Sequence, residues 1–141
     1  MKYITTKRGK VKVSDSDYEL VSQYKWRLDK DGYAIAHDGV GGYISMHRMI
    51  TQCPKGMVVD HINHNNQDNT RDNLRVCTQS QNCGNARIQR VSKGVTARKN
   101  RFYSHCAGKY LGCSKTREEA ARKYNEAALI HFGEFALLNE V

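Results

Sequence analysis

The run Met57-Val58-Val59-Asp60-His61 is followed by seven polar residues, Asn63-His64-Asn65-Asn66-Gln67-Asp68-Asn69, and then by Asp72-Asn73-Leu74-Arg75-Val76-Cys77. Short aliphatic and β-branched stretches bounded by turn-forming residues read as strands. Asn and Asp side chains bond their own backbone and favour turns, so the Asn-rich stretch between them is expected to be a loop without regular structure. Pro54-Lys55-Gly56 is a turn ahead of the first strand, and Thr78 or Ser80 can cap a helix that carries Asn82 on its first turns, because a hydroxyl there accepts free amides. The order is strand, loop, strand, helix.

Outward from this centre the chain divides into further segments. Residues 1–52 alternate polar and β-favouring positions in Lys10-Val11-Lys12-Val13, Tyr24-Lys25-Trp26-Arg27-Leu28, Tyr33-Ala34-Ile35-Ala36 and Tyr43-Ile44-Ser45-Met46. Turn signals at Asp29-Lys30-Asp31-Gly32 and Asp38-Gly39-Val40-Gly41-Gly42 separate these runs and predict a small antiparallel sheet. Ser14-Asp15-Ser16-Asp17 can start a short helix, and His47-Arg48-Met49-Ile50 reads as a helical or extended connector. Residues 53–85 hold the central element, and residues 86–93 form a basic linker. From residue 94 three short strands are expected around Val95, Phe102 and Tyr110, with turns at Lys99-Asn100 and Ala107-Gly108. Thr116-Arg117-Glu118-Glu119 matches the capping box at the start of a helix whose Ala120, Tyr124, Ala127 and Ala128 share one face and which Gly133 stops. The fold class is α+β.

The charge distribution points to a polyanion. The 141 residues carry 23 Lys and Arg against 14 Asp and Glu, a formal +9, and that excess favours nucleic acid or an anionic membrane surface. Between Asn73 and Arg117 there is no carboxylate, while Arg75, Arg87, Arg90, Lys93, Arg98, Lys99, Arg101, Lys109, Lys115 and Arg117 all fall there. A basic run interleaved with aromatics suits a phosphate-tracking surface better than a merely solvated one. No apolar stretch is long enough to span a bilayer and the N-terminus has no apolar signal region, so a cytoplasmic protein is expected. Cys53, Cys77, Cys83, Cys106 and Cys113 are odd in number and scattered, which fits reduced thiols. Cys77 with Cys83 leaves a zinc alternative.

Hydrolysis of a phosphodiester needs an activated water, stabilised phosphoryl oxygens and relief of charge on the departing 3′ oxygen. A neutral histidine can take the proton, and a hard cation on oxygen ligands can supply the rest. Asp60 and His61, adjacent at a strand end, point to opposite sides, so one can hold a metal while the other faces water. Asp60-His61, Asn73 and Asn82 together resemble the His-Asn-His (HNH) nuclease motif in the variant ending on Asn, over about residues 57–85. The resemblance implies a ββα-metal fold, His61 as general base, Asp60 and Asn82 as ligands of one Mg²⁺ or Mn²⁺ per active site, and Asn73 as the residue that pins the loop so that His61 is oriented. Oxygen donors suit these ions better than zinc. His47 and Arg48 are candidate phosphate contacts, although a histidine between Met46 and Met49 also suits a core. Arg75 either grips a phosphate or covers its strand, and His64 stands where the family it resembles often has Gly, which implies a left-handed turn there and no catalytic role. His37 and His131 carry no assignment.

The C-terminal segment, with Gly94-Val95, Phe102, Tyr110-Leu111-Gly112 and the helix from Glu118 to Ala128, is similar to the ethylene-response-factor (Apetala-two) type of DNA-binding domain. That resemblance implies a three-stranded sheet backed by one helix and laid in the major groove, and a companion role in mobile, often phage-borne, homing-type endonucleases. Double-stranded DNA is then the partner, and the host a phage-infected bacterium. Arg98, Lys99, Arg101, Tyr103, His105 and Lys109 become DNA contacts beside Arg75, Arg87, Arg90 and Lys93, with Arg98, Arg101 and Tyr103 as candidates for base edges. A register shifted by one would turn Tyr103 or His105 towards the helix instead. A DNA-binding regulator without catalysis and a nuclease selective for RNA or branched DNA are the alternatives. Nothing in the sequence sets the oligomeric state.

Overall fold

The computed structural model describes residues 1–86 and 92–141. The protein is mixed α+β, as expected, with several small sheets and few helices. It divides into two compact units, Met1–Gln79 and Ser80–Val141. Among the described residues no helix is long and apolar enough to cross a membrane.

In the first unit, β1 (Lys2–Thr6) pairs antiparallel with β2 (Gly9–Val13), and α1 (Tyr18–Ser22) follows a single helical turn at Asp15–Asp17. Strands β3 (Arg27–Leu28), β4 (Ala34–His37) and β5 (Tyr43–Ser45) make a second antiparallel sheet. The run from Tyr24 to Leu28 is extended only at its end, because Trp26 instead buries its ring and donates Nε1–H to the Val21 carbonyl at 2.6 Å. The connector is the helix α2 (Met46–Thr51), whose Met46 and Ile50, four apart, enter the core. Strand β6 (Val58–His61) pairs antiparallel with β8 (Leu74–Cys77), bringing Asp60 opposite Arg75 and His61 opposite Leu74.

The Asn-rich stretch departs from the expected irregular loop. Asp68–Asn69 is a two-residue strand, β7, that pairs parallel with β2 through Lys12↔Asp68 and Val13↔Asn69. It can do so because the preceding turn is closed by its own side chains, with Asn63 Oδ1 accepting from the Asn65 amide and Asn65 Oδ1 from the Gln67 amide, after which the Gln67 backbone carbonyl accepts the Lys12 amide of β2. His64 lies at φ +63, the left-handed conformation expected of it. Val11, Val13, Val21, Trp26, Leu28, Ala34, Ala36, Met46, Ile50 and Leu74 form one core, with Val59 packed against it. Arg71 grips the buried Asp17 through two bonds of 2.9 and 2.7 Å, tying the turn before β8 to the N-terminal helical turn.

The second unit begins within α3 (Gln79–Asn85), directly after β8. Strands β9 (Val95–Arg98), β10 (Arg101–Cys106) and β11 (Lys109–Ser114) form an antiparallel sheet with β10 central. Lys99 and Asn100 at one hairpin and Ala107 and Gly108 at the other all have positive φ, as two-residue turns matched to strand twist require. Helix α4 (Arg117–Phe132) is capped by Thr116, whose Oγ1 accepts the Glu119 amide; Glu119 reaches back to the Lys115 amide rather than to that of Thr116. Ala120, Ala121, Tyr124 and Ala128 are buried, and Tyr124, Ala128 and Cys106 form the core with Leu111, Ala127 and Phe132 around them. Gly94 is obligatory, because at its φ of +70 an added Cβ would strike the Tyr124 ring and the His105 carbonyl. All five cysteines are free thiols.

Candidate functional site

Asp60 and His61 end β6 on opposite faces of the pleat, as adjacent strand residues must. His61 points the way Val59 does, towards the core, and Asp60 points the other way. Both are more than nine-tenths buried. Across the ladder Arg75 meets Asp60: its Nε and Nη2 lie 2.9 and 2.7 Å from Oδ2. The structure therefore sets Arg75 against the carboxylate that was singled out as a metal ligand. His61 Nε2 is 2.9 Å from Asn69 Oδ1. Burial pulls the His61 imidazole below its ordinary pKa, with the Asn69 bond and the Asp60 charge opposing only in part, so the ring is neutral near pH 7.

Asn73 closes the loop between the two strands. Its Oδ1 accepts the Asn63 amide at 2.9 Å, its Nδ2 donates to the Asp68 carbonyl at 2.8 Å, and its own carbonyl accepts the Ile62 amide at 2.9 Å. Two of these bonds bind the residues just after His61 to Asn73, just before β8, and the third ties Asn73 to Asp68 within the loop. Asn82 is carried by α3 and belongs to the second unit.

Three residues beside His61 escaped the reading of the sequence as parts of this site or had only a loose role there. Tyr33, just before β4, lies with its ring 5.8 Å from that of His61 and 5.3 Å from that of His47. His47, from α2, stands edge-on to His61 at 5.3 Å. Its Nδ1 is buried with no hydrogen bond, and burial, then the proximity of His61 and Arg48, push its pKa down to about 4. Arg48 donates Nη1–H to the Met57 carbonyl at 3.0 Å, bracing the turn that leads into β6. Asn69 is the third; its place in a run of asparagines marked it only as a turn residue.

A sequence profile of the HNH endonuclease family matches residues 51–83, which include Asp60, His61, Asn73 and Asn82. A protein of Acanthamoeba polyphaga mimivirus, named an uncharacterized HNH endonuclease, is 36% identical over 140 residues, covering 92% of this chain and 74% of its own length. The chain belongs to the HNH endonuclease family. It is a nuclease, and membership in this family implies DNA as its substrate. No solved structure matches it.

The HNH endonuclease carries most of its other candidate contacts on the C-terminal sheet. Ser104, fully buried, donates Oγ–H to the Ala120 carbonyl at 2.8 Å, so Phe102, Ser104 and Cys106 share the helix side of β10. Alternation then turns Arg101, Tyr103 and His105 to the opposite side, which settles the register question in favour of the unshifted pairing. On that side Tyr110 lies 5.3 Å from His105 and 6.5 Å from Tyr103, ring to ring. Arg98, Lys99, Arg101, His105 and Lys109 are exposed. Lys93 is placed otherwise: its ammonium donates to the carbonyls of Cys83, Gly84 and Ala86, capping the C-terminus of α3. Lys93, expected as a phosphate contact, thus spends its ammonium on these carbonyls in the free chain. Arg87 and Arg90 lie outside the described residues.

Proposed function

We propose that this HNH endonuclease hydrolyses duplex DNA with a divalent cation, in the manner of a homing-type enzyme, nicking or cutting near a site bound by its C-terminal unit. The observation that carries this reading is the neutral, buried His61 held at the end of β6 beside the Asp60 carboxylate, with the intervening loop closed by Asn73. A neutral imidazole is the form that can accept a proton from water at pH 7.

The chemistry of Asp60 suits a hard cation: it offers a buried carboxylate, the oxygen donor that Mg²⁺ or Mn²⁺ take, and these ions keep several waters and need few protein ligands. Among the described residues no three His, Cys, Asp or Glu side chains converge as a zinc site would need. When bound, such an ion supplies charge relief to the phosphoryl and departing oxygens. The chain's own residues do the remainder: His61 takes the proton of the attacking water, Asn73 fixes the loop that aims it, and Arg75 orients Asp60 and adds positive charge beside it.

The C-terminal sheet supports the second half of the proposal, a domain of the ethylene-response-factor type that positions the enzyme on DNA. Arg98 and Arg101 are direct cross-strand partners flanking Lys99 at the hairpin tip. Like charges placed opposite each other repel, and a phosphate between them removes the repulsion. The relative named above is viral but not from a phage, so the mobile-element reading rests on the combination of units and not on a phage host.

Supercoiled plasmid with Mg²⁺ tests the catalytic half. The native chain converts it to open circles, chelation of the cation stops this, and His61→Ala leaves the plasmid intact. Equal nicking by both proteins would remove His61 from the mechanism.

A further inference from the structure

We propose that Asn69 fixes the tautomer of His61 by accepting its Nε2–H, so that Nδ1 is the nitrogen that takes the proton from the attacking water. The inference rests on the reading of His61 as general base, and it makes Asn69 a positioning residue.

Asn69 is fully buried at the end of β7, where its backbone is pinned by pairing to Val13. Its amide group meets two partners. Oδ1 lies 2.9 Å from His61 Nε2, and Nδ2 lies 3.5 Å from Met46 Sδ. Met46 distinguishes the two ends of the amide. A thioether sulfur accepts a hydrogen bond weakly and has none to donate, so it suits the NH₂ and repels the carbonyl oxygen. The carbonyl oxygen is therefore the end that faces His61. An oxygen of this kind only accepts, so the proton between them belongs to Nε2. A base must hold one bare nitrogen, which leaves Nδ1. Among the described residues the His61 ring makes no other hydrogen bond, and its Nδ1 is not one of the buried unsatisfied atoms. Tyr33 and His47 flank the ring at 5.8 and 5.3 Å, so it cannot easily turn over to exchange its nitrogens.

The step balances. The water O–H bond breaks and its proton passes to Nδ1, giving an imidazolium with both nitrogens protonated. The water oxygen bonds to phosphorus, the bond from phosphorus to the 3′ oxygen breaks, and that oxygen leaves with the electron pair and is protonated by solvent. Through this step the Asn69 bond changes from neutral to charge-assisted, and so strengthens as the imidazolium forms.

The tautomer can be read without metal or DNA, from long-range ¹H–¹⁵N spectra of the full chain labelled at histidine. In the native protein His61 should show a protonated Nε2 and a bare Nδ1. Asn69→Leu, folded by circular dichroism, should show a mixture, and its kcat for plasmid nicking should fall about 100-fold with KM for DNA held within about twofold. Asn69→Asp keeps an acceptor oxygen and should stay within about tenfold of native kcat. A native His61 protonated on Nδ1 overturns the proposal, as does a folded Asn69→Leu with native tautomer and kcat, or a loss in Asn69→Asp as deep as in Asn69→Leu. If Asn69→Leu fails to fold, the native spectrum alone decides. Native nicking by His61→Ala would instead sink the general-base reading and leave the tautomer assignment standing.

Discussion

His47 and His61 are histidines kept neutral by burial, and acid should act on the protein through them. For His47 the folded pKa of about 4 lies below the unfolded 6.5. Above pH 6.5 both states are neutral and the group contributes nothing to the pH dependence. Between 6.5 and 4 the unfolded chain binds a proton that the folded one refuses, so stability falls as pH falls, by up to about 3 kcal/mol in all, and levels off below 4. His61, shifted in the same direction, adds to the slope. Urea midpoints at pH 7 and pH 4.5 should therefore differ less in His47→Phe than in the native protein, and an equal drop in both would assign the acid sensitivity elsewhere. Arg75 is a second test at this scale. Arg75→Met strips the guanidinium from a buried carboxylate, and removal of one member of such a pair costs about 3 kcal/mol, visible as a lowered melting temperature.

On the proposed function two elements matter most, the loop between β6 and β8 and the sheet β9 to β11. Asn73→Ala removes two side-chain bonds that close the loop around His61 and should cost about 2 kcal/mol in a denaturant titration. Because the loop then no longer aims His61, kcat should fall further than any change in KM. On the sheet, Arg98→Ala with Arg101→Ala should weaken DNA binding and make its logarithmic salt slope shallower by about 2, one phosphate for each residue. The same pair repels across the strands in the free protein, so the double variant should melt no lower than the native chain, and a clear loss of stability would show that these arginines serve the fold.

At the scale of the whole molecule the charge is unequally shared. Residues 80–141 hold 11 basic and 5 acidic residues, and residues 1–79 hold 12 and 9. The smaller unit carries the greater excess of positive charge, so on the proposed function it would supply the electrostatic share of DNA affinity while the larger unit, with its apolar core, would hold the chemistry rigid. One chain carries one His61, so a single binding event should break one strand. Open circles should then precede linear plasmid at every enzyme concentration, and linear product arising first would require paired chains.

Local signals in the chain were enough for β6, β8 and α3, the two hairpin turns and the Thr116 cap, and they named Asp60, His61 and Asn73 as candidates. These depend on residues within a few positions of each other: period-two alternation, turn chemistry and an oxygen three residues ahead of an amide. The surroundings of His61 were not legible in that way. Asn69 looked like one more turn residue, yet it forms a strand with Val13 and bonds Met46, 23 positions away. Asp17 looked like a helix-capping residue, yet it anchors Arg71, 54 positions on. Tyr33 and His47 reach the imidazole from the turn before β4 and from a helix, neither of which any local pattern connects to it. Such partners are chosen by which side chains share one core when the whole unit closes, a contest of burial and polar satisfaction among distant segments. Adjacent residues can announce a base; only the packed interior decides which of its nitrogens is bare.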